Sequence, residues 1–257
     1  MKIYLSLIIC FSLSCFGISQ SGLAHQQKQD KKILIVLSNA GYYGSSEIMT
    51  SNHFSETVVP YDEFVKAGYK VDLVSPQGGR VPIGYINTSD SVMAQYIHDH
   101  NFMDQIEHTK KPAQINTSEY IAIFYSGGGA AMFGVPENEA LQKIAMAIYE
   151  QSGGVVSAIC HGTAGLVNLK TNDGKYLVKG KSVNGFPDLF ENMEGEYYKQ
   201  FPFSIEETIR DRGGRFVFSK QGWDEHYIID GRLVTGQDPS SAKVLARKII
   251  EVLASMK

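Results

Sequence analysis

The chain has 257 residues and a formal net charge of −3, and it contains no basic run and no internal repeat. This charge balance excludes the usual signatures of proteins that bind nucleic acids or anionic membrane surfaces. The length is sufficient for one sizeable α/β domain.

The N-terminal segment has the composition of a targeting signal. Its apolar run, IYLSLIICFSLSCFGIS, is too short for a clear membrane-spanning helix and is typical of a secretory signal. We predict a signal peptide over residues 1–24, cleaved at about 19–24, and a polar linker over 25–31. Lipid attachment at Cys15 is disfavoured, because Leu13 lies where a lipoprotein cleavage site has a small residue. We therefore expect an exported protein, periplasmic or secreted, without stable membrane association after cleavage.

Apolar β-type runs alternate with amphipathic helical segments along the rest of the chain, and we predict one domain over 32–257. The predicted elements are, in chain order, a strand over 32–38, a helix over 53–67, strands over 70–75 and 120–125, a helix over 138–151, a strand over 154–159, a short helix over 162–167, a hairpin over 227–235 and a closing helix over 240–256. Such alternation predicts a mostly parallel sheet with helices on both faces.

Two details of this pattern are harder to assign. Pro60 lies inside the first predicted helix and predicts a kink or a division into two pieces. Residues 82–113 are polar and are predicted to form an insertion with one helix over 91–108, which could serve as a lid.

The stretch GGVVSAICHGTAGL, residues 153–166, carries the strongest chemical signal. Cys10 and Cys15 lie in the predicted signal, so Cys160 is the only cysteine of the predicted mature chain and cannot form an internal disulfide. Cys160 follows a predicted strand, and ligands of parallel sheets bind beyond the carboxyl ends of strands. The following helix would direct N–H groups and a positive dipole end at the sulfur, which favours the thiolate.

The neighbours of Cys160 fit a nucleophile elbow with cysteine in place of serine. Gly162 permits a sharp turn, and His161 can carry protons at the same site. The backbone N–H of His161 is one candidate oxyanion donor, and Gly128 or Gly129, after the neighbouring predicted strand, is another. The alternative is that Cys160 is a small buried apolar residue without a chemical role.

At this point the sequence resembles a known family. VSAICHGTAGL is similar to the elbow of the ThiJ/PfpI superfamily, and three further segments resemble its glyoxalase III-like and heat-shock chaperone-like branch: SETVVPYDEF (55–64), GKSVNGFPDLFE (180–191) and GWDEHYIIDGRLVTGQDPSSA (222–242). The resemblance covers residues 32–254. It implies a class I glutamine amidotransferase-like fold, which is a flavodoxin-like three-layer α/β sandwich.

The resemblance also implies roles for four side chains. Cys160 is the nucleophile, His161 is its partner, Glu191 orients the histidine, and Glu56 lies against the sulfur as a proton relay. A carboxyl that faces a thiolate has its pKa raised by like charge and burial, so Glu56 could stay protonated and donate to the sulfur. Three nearby acids remain alternatives to Glu191: Asp188, Glu194 and Glu196.

Three features depart from the branch. Its loop after the third strand often reads Gly-His-Gly, where this chain has Gly128-Gly129-Ala130, and a frequent acidic residue is replaced by Gly134. The predicted secretory signal also differs from the usual cytoplasmic members. These departures leave the range of substrates open.

The function implied by the resemblance is a glyoxalase that converts methylglyoxal to lactate without metal, nicotinamide or glutathione, or a related enzyme that repairs glycated groups. Its partner is then a small-molecule aldehyde, and relatives suggest a homodimer. One alternative is a cysteine hydrolase of amide or peptide bonds, which could use the same nucleophile and oxyanion donors. Another is a stress chaperone or a peroxide sensor in which Cys160 is oxidised.

The remaining histidines permit weaker hypotheses. A metal site could be built from His98, His100, Asp104 and His108, but His98 and His100 do not share a helix face, so a solvated polar segment is favoured. His226 could line the pocket or be a structural histidine. We predict no metal site and no cofactor.

Overall fold

A six-stranded β-sheet forms the centre of the protein. The computed structural model describes residues 31–256, so the predicted signal peptide lies outside the described part of the chain. The described strands are β1 (Lys32–Val36), β2 (Asn52–His53), β3 (Lys70–Val74), β4 (Ile83–Gly84), β5 (Tyr120–Tyr125), β6 (Val155–Ile159), β7 (Ser182–Val183), β8 (Arg215–Phe216), β9 (Tyr227–Asp230) and β10 (Leu233–Gly236).

The sheet has the strand order β3-β1-β5-β6-β10-β9 and is parallel except for β9, which pairs antiparallel with β10. Gly231 and Arg232 form the two-residue turn of this predicted hairpin, and Gly231 has the positive φ, +63°, that such turns require. Two short parallel pairs, β2 with β4 and β7 with β8, lie outside the sheet.

Helices cover the sheet. The α-helices of the described residues are α1 (Phe54–Lys66), α2 (Ser91–Tyr96), α3 (His100–Glu107), α4 (Glu139–Met146), α5 (Ile205–Asp211) and α6 (Ala242–Ser255). The predicted division at Pro60 is wrong, because α1 is one continuous helix with Pro60 inside it. Burial of Phe54, Val58 and Phe64 in the core stabilises this helix despite the hydrogen bond that proline cannot make.

The single helix predicted over 91–108 is also wrong, since the segment forms α2 and α3. Asp99 lies between them, and its carboxylate accepts hydrogen bonds from the backbone N–H groups of Asn101 and Phe102 at 2.9 and 3.0 Å. It is therefore the N-cap of a new helix. Phe102 and Ile106 are buried in the core, so this segment packs into the fold.

The core has two halves, one on each face of the sheet. Ile33 and Ile35 of β1 belong to the half that includes α1 and α6, whereas Leu34 and Val36 belong to the half that includes α4 and α5. This alternation is expected for a strand that is buried on both sides. The three layers confirm the predicted flavodoxin-like α/β sandwich. Among residues 31–256, none of the helices combines the length and the apolar character that crossing a membrane requires.

Candidate active site

The elbow lies at the carboxyl end of β6. Cys160 follows Ile159 directly, is buried, and has a φ of +55°, which is rare for a residue with a side chain. The short helix predicted over 162–167 is a 3₁₀-helix over Cys160–Leu166, so it begins at the cysteine itself. Gly162 is required there, because a Cβ atom would lie 2.3 Å from the carbonyl oxygen of Tyr125.

A chain of contacts connects the thiol to a carboxylate. The Sγ of Cys160 lies 3.5 Å from Nδ1 of His161, and Nε2 of His161 lies 2.6 Å from Oε1 of Glu191. The second oxygen of Glu191 accepts a hydrogen bond from the Tyr197 hydroxyl at 3.0 Å. With Nε2 donating to the carboxylate, neutral His161 presents the lone pair of Nδ1 to the thiol, as a general base must.

The structure brings Glu191 to His161, and the alternative acids have other contacts. Asp188 accepts a hydrogen bond from Ser204 at 2.7 Å, and Glu196 pairs with Lys199. Glu194 is exposed to solvent.

Glu56 lies on the other side of the thiol, in the first turn of α1, and is fully buried. Burial raises its pKa to about 8; the nearby Asp238 adds to the rise, while hydrogen bonding with the Cys160 thiol opposes it. Within the described chain, no nitrogen or oxygen group forms a well-oriented hydrogen bond with either carboxyl oxygen. At neutral pH the carboxyl is therefore mostly protonated and can donate to the sulfur.

Burial also raises the pKa of the Cys160 thiol, and repulsion from a Glu56 carboxylate raises it further. The backbone N–H groups of His161 and Gly128 hydrogen-bond the sulfur and lower this pKa. Because Glu56 is protonated below about pH 8, its repulsion is largely absent there. The sequence analysis named the N–H of His161 and that of Gly128 or Gly129 as candidate oxyanion donors, and Gly129 lines the same cavity.

His53 is a site residue that the sequence analysis missed. Its ring lines the cavity, stacks on Tyr85 with 4.6 Å between ring centroids, and has Nδ1 3.0 Å from the Ser55 hydroxyl. Burial lowers the pKa of His53 to about 4, and the nearby His161 contributes to the decrease, so His53 is neutral at pH 7. Its position three residues before Glu56, at the start of α1, was the available signal.

A cavity of about 560 Å³ opens above Cys160. Its aromatic lining was also missed, because the side chains come from four separated segments. They are Tyr43, Tyr85, Phe186, Phe190, Tyr197 and Trp223.

Gly129 stands where the family branch often has a histidine, and the structure gives a steric reason for this difference. A Cβ atom at Gly129 would lie 2.3 Å from the Tyr43 hydroxyl oxygen and 2.7 Å from Oγ1 of Thr50. Tyr43 thus occupies the space into which a histidine at this position would extend. Gly134, the second difference from the family branch, has a φ of +78°. Its backbone N–H donates a hydrogen bond to the Glu137 carboxylate at 2.8 Å.

The other histidines lie away from this chemistry. His98, His100 and His108 are exposed, and His108 pairs with Asp104 at 3.0 Å. No group of three potential metal ligands occurs within residues 31–256. His226 does not line the cavity, and its carbonyl accepts hydrogen bonds from Gln237 and other neighbours, as a structural residue does.

Known proteins resemble this chain over most of its length. A model described as the DJ-1/PfpI family matches residues 48–252. Glutathione-independent glyoxalase HSP31 of Saccharomyces cerevisiae is 33% identical, over 87% of this chain and 98% of that protein. Glyoxalase 3 of Candida albicans is 31% identical, over 85% of this chain and 97% of that protein. The crystal structure of glyoxalase III from Candida albicans has a TM-score of 0.78 at 29% identity, over 87% of this chain and 98% of that one.

These relatives correct the expectation of export. The similar yeast glyoxalases indicate a protein that is not exported, so the prediction of a periplasmic or secreted protein is wrong. The apolar run on which that prediction depended lies outside the described residues. The case for a reactive Cys160 depends on its geometry.

Proposed function

The chain belongs to the DJ-1/PfpI family, and from this premise we propose that it is a glutathione-independent glyoxalase that converts methylglyoxal to lactate. The observation that carries the proposal is the buried Glu56 carboxyl facing the Cys160 thiol, with its pKa raised to about 8 by burial. An amide hydrolase has no need of a proton donor and acceptor on that side of the sulfur, whereas an aldehyde isomerisation does.

The proposed reaction balances without an external oxidant or reductant. Sγ of Cys160 bonds to the aldehyde carbon, C1, and the thiol proton passes to His161 and then to the substrate oxygen, giving a hemithioacetal. One hydrogen then moves from C1 to the ketone carbon, C2, and one proton moves from the C1 oxygen to the C2 oxygen. The product is an isomeric thioester. Water attacks it, the C–S bond breaks, and the 2-hydroxy acid and the thiol are released.

Each step has a group in place. The N–H groups of His161 and Gly128, which hydrogen-bond the sulfur, would bind the C1 oxygen as its charge develops. Because the pKa of Glu56 is about 8, a fraction of this carboxyl is ionised near neutral pH, and that carboxylate can accept the proton from C1 and return it to C2. Neutral His53 can donate an N–H to the C2 oxygen, because the Ser55 hydroxyl can satisfy Nδ1 and leave the proton on Nε2.

The experiment measures lactate from methylglyoxal in glutathione-free buffer, with the natural protein and Cys160→Ala. We expect turnover by the natural protein and none by the variant. Absence of turnover in a protein whose thiol still reacts with iodoacetamide would contradict the proposal. Activity of such a protein on peptide or ester substrates would favour the hydrolase, and formation of a sulfinic acid in peroxide would favour the sensor.

A further inference from the structure

The cavity above Cys160 is larger than methylglyoxal needs. Methylglyoxal has five non-hydrogen atoms, which at the roughly 30 Å³ that a water molecule takes in the liquid amount to at most about 150 Å³. The cavity has about 560 Å³. Once an aldehyde carbon is bonded to Cys160, most of the cavity remains for a substituent on C2.

The surface next to this remaining space is aromatic and begins at the reactive centre. The Phe186 ring stacks on His161, with 4.9 Å between ring centroids. The rings of Phe190 and Trp223 each lie 6.3 Å from Phe186. A planar apolar group attached to C2 would therefore meet a continuous aromatic surface, which such groups favour.

The backbone holds two of the aromatic side chains at the cavity in a strained conformation. Four non-glycine residues within 31–256 have positive φ, and three of them, Tyr85, Cys160 and Trp223, line the cavity. Tyr85 and Trp223 remain 56% and 61% exposed, so burial in the core does not account for their strain. The Asp238 carboxylate fixes Trp223 by accepting its backbone N–H at 2.9 Å. Strain of this kind is retained where a site requires it.

The charges of the lining restrict the substituent further. Among the described residues, the lining includes no lysine or arginine, and Glu191 is its only aspartate or glutamate side chain. A phosphate or carboxylate on the substrate would thus find no cation to pair with, and Glu191 would repel it. The lining favours a neutral group.

We propose that the preferred substrates are 2-oxoaldehydes with a neutral aromatic substituent on C2, which packs against the cavity rings that include Trp223 and Tyr85. This inference rests on the proposed glyoxalase function and concerns the same site. For phenylglyoxal the reaction is the addition of one water to give mandelic acid: C1 is oxidised from aldehyde to acid, and C2 is reduced from ketone to alcohol.

The test compares kcat/KM for phenylglyoxal and methylglyoxal in the natural protein, Trp223→Gly and Tyr85→Gly. Glycine removes each ring and adopts positive φ without strain, so neither substitution adds backbone strain. Glu225→Gly is the matched control, because Glu225 has a φ of +57° in the same loop as Trp223 but does not line the cavity.

We expect the natural protein to prefer phenylglyoxal about tenfold. Each ring deletion should reduce kcat/KM for phenylglyoxal roughly two- to thirteenfold, as aromatic contacts of about 0.5–1.5 kcal/mol imply. In each ring deletion kcat/KM for methylglyoxal should fall by less than kcat/KM for phenylglyoxal, and both values for Glu225→Gly should change less than twofold. Equal losses for the two substrates, or no preference in the natural protein, would overturn this inference while leaving the glyoxalase function intact. Failure of the natural protein to convert either substrate would overturn both.

A binding measurement tests the aromatic contact without the ring-deletion variants, which could misfold. Trp223 is the only tryptophan of the chain, so tryptophan fluorescence reports on this site alone. In Cys160→Ala, benzaldehyde should quench Trp223 fluorescence saturably, and acetaldehyde at the same concentration should not. Benzaldehyde lacks the second carbonyl and cannot be converted. Quenching that does not saturate, or is equal for both aldehydes, would count against aromatic stacking at Trp223.

Discussion

Two carboxyl groups, one on each side, lie next to the pair formed by Cys160 and His161. Their different surroundings suit them to different chemical roles. Glu191 accepts hydrogen bonds from His161 and from Tyr197. Glu56 is buried with the thiol beside it, and its pKa is about 8. Differently placed carboxyl groups of this kind commonly divide roles, one holding a charge and the other moving a proton. In this chain Glu191 is a positioning residue and Glu56 is the proposed proton shuttle.

Replacing Glu191 tests the positioning role. Glu191→Gln keeps the size of the side chain but removes the charge that holds the tautomer of His161, so we expect kcat to fall by about 100-fold or more. The pH profile of kcat/KM should move as well, because the imidazolium loses its stabilising partner. The exposed Glu194→Gln is the control. An unchanged pH profile with only a loss of protein stability would show that Glu191 is merely structural.

Replacing His53 tests the proposed donor to the C2 oxygen. His53→Phe retains a ring that can stack on Tyr85 and removes the N–H group. We expect kcat for methylglyoxal to decrease about tenfold, the value of a hydrogen bond near 1.4 kcal/mol, with little change in KM. Because His53 is neutral above about pH 5, the ratio of the two kcat values should be constant from pH 6 to 8. A ratio that changes across this range would contradict the neutral-donor role.

At the scale of elements, the site is assembled where the ends of β5, β6 and α1 meet. The loop after β5 brings its backbone so close to the other two that side chains are excluded. A Cβ atom at Gly127 would lie 2.4 Å from Oε2 of Glu56, 2.7 Å from the carbonyl oxygen of Ile159 and 2.9 Å from Cβ of Cys160. Gly127 thereby allows the carboxyl and the thiol to approach each other.

Adding one methyl group tests this close approach. In Gly127→Ala the new Cβ must displace Glu56 or the elbow, so we expect lactate formation to fall at least tenfold and the free energy of unfolding to decrease by about 1–3 kcal/mol. Gly41→Ala is the matched control, since a Cβ there meets nothing within 4 Å and its φ is not positive. Equal activity in the two variants would refute the close approach that the structure shows.

The sequence predicted those parts of the site that are local in the chain. Periodicity located the strands, and the CHG stretch located the elbow, because a buried run followed by small residues has few structural solutions. The resemblance supplied Glu56 and Glu191. It did not supply Tyr43, Tyr85 or Trp223, whose meeting depends on loops between elements. Local patterns carry no information on which distant loops converge.

For the molecule as a whole, the buried Glu56 connects the site to stability. The pKa of Glu56 is about 8 in the folded protein and near 4.5 when exposed, so between these values the folded state holds a proton that the unfolded state has released. This contribution is fully present below pH 4.5 and is lost as the pH rises through 8. A site built for proton transfer thus lowers stability at alkaline pH.

The predicted domain limits, 32–257, and the homodimer stay predictions.

Urea unfolding at pH 5 and pH 8 tests this linkage. Glutamine does not titrate, so Glu56→Gln lacks the contribution. We expect the natural protein to lose stability relative to Glu56→Gln as the pH rises from 5 to 8. A difference between the two proteins that is independent of pH would mean that Glu56 has an ordinary pKa in the folded state.

The most direct test of the proposed chemistry separates attack by sulfur from movement of the hydrogen. Natural protein, Glu56→Gln and Cys160→Ala are each mixed with methylglyoxal without glutathione, and intact-protein mass and lactate are followed in time. We predict lactate from the natural protein, a persistent adduct at Cys160 with at least about 100-fold less lactate from Glu56→Gln, and neither from Cys160→Ala. Lactate formation by Glu56→Gln at the natural rate would contradict the account.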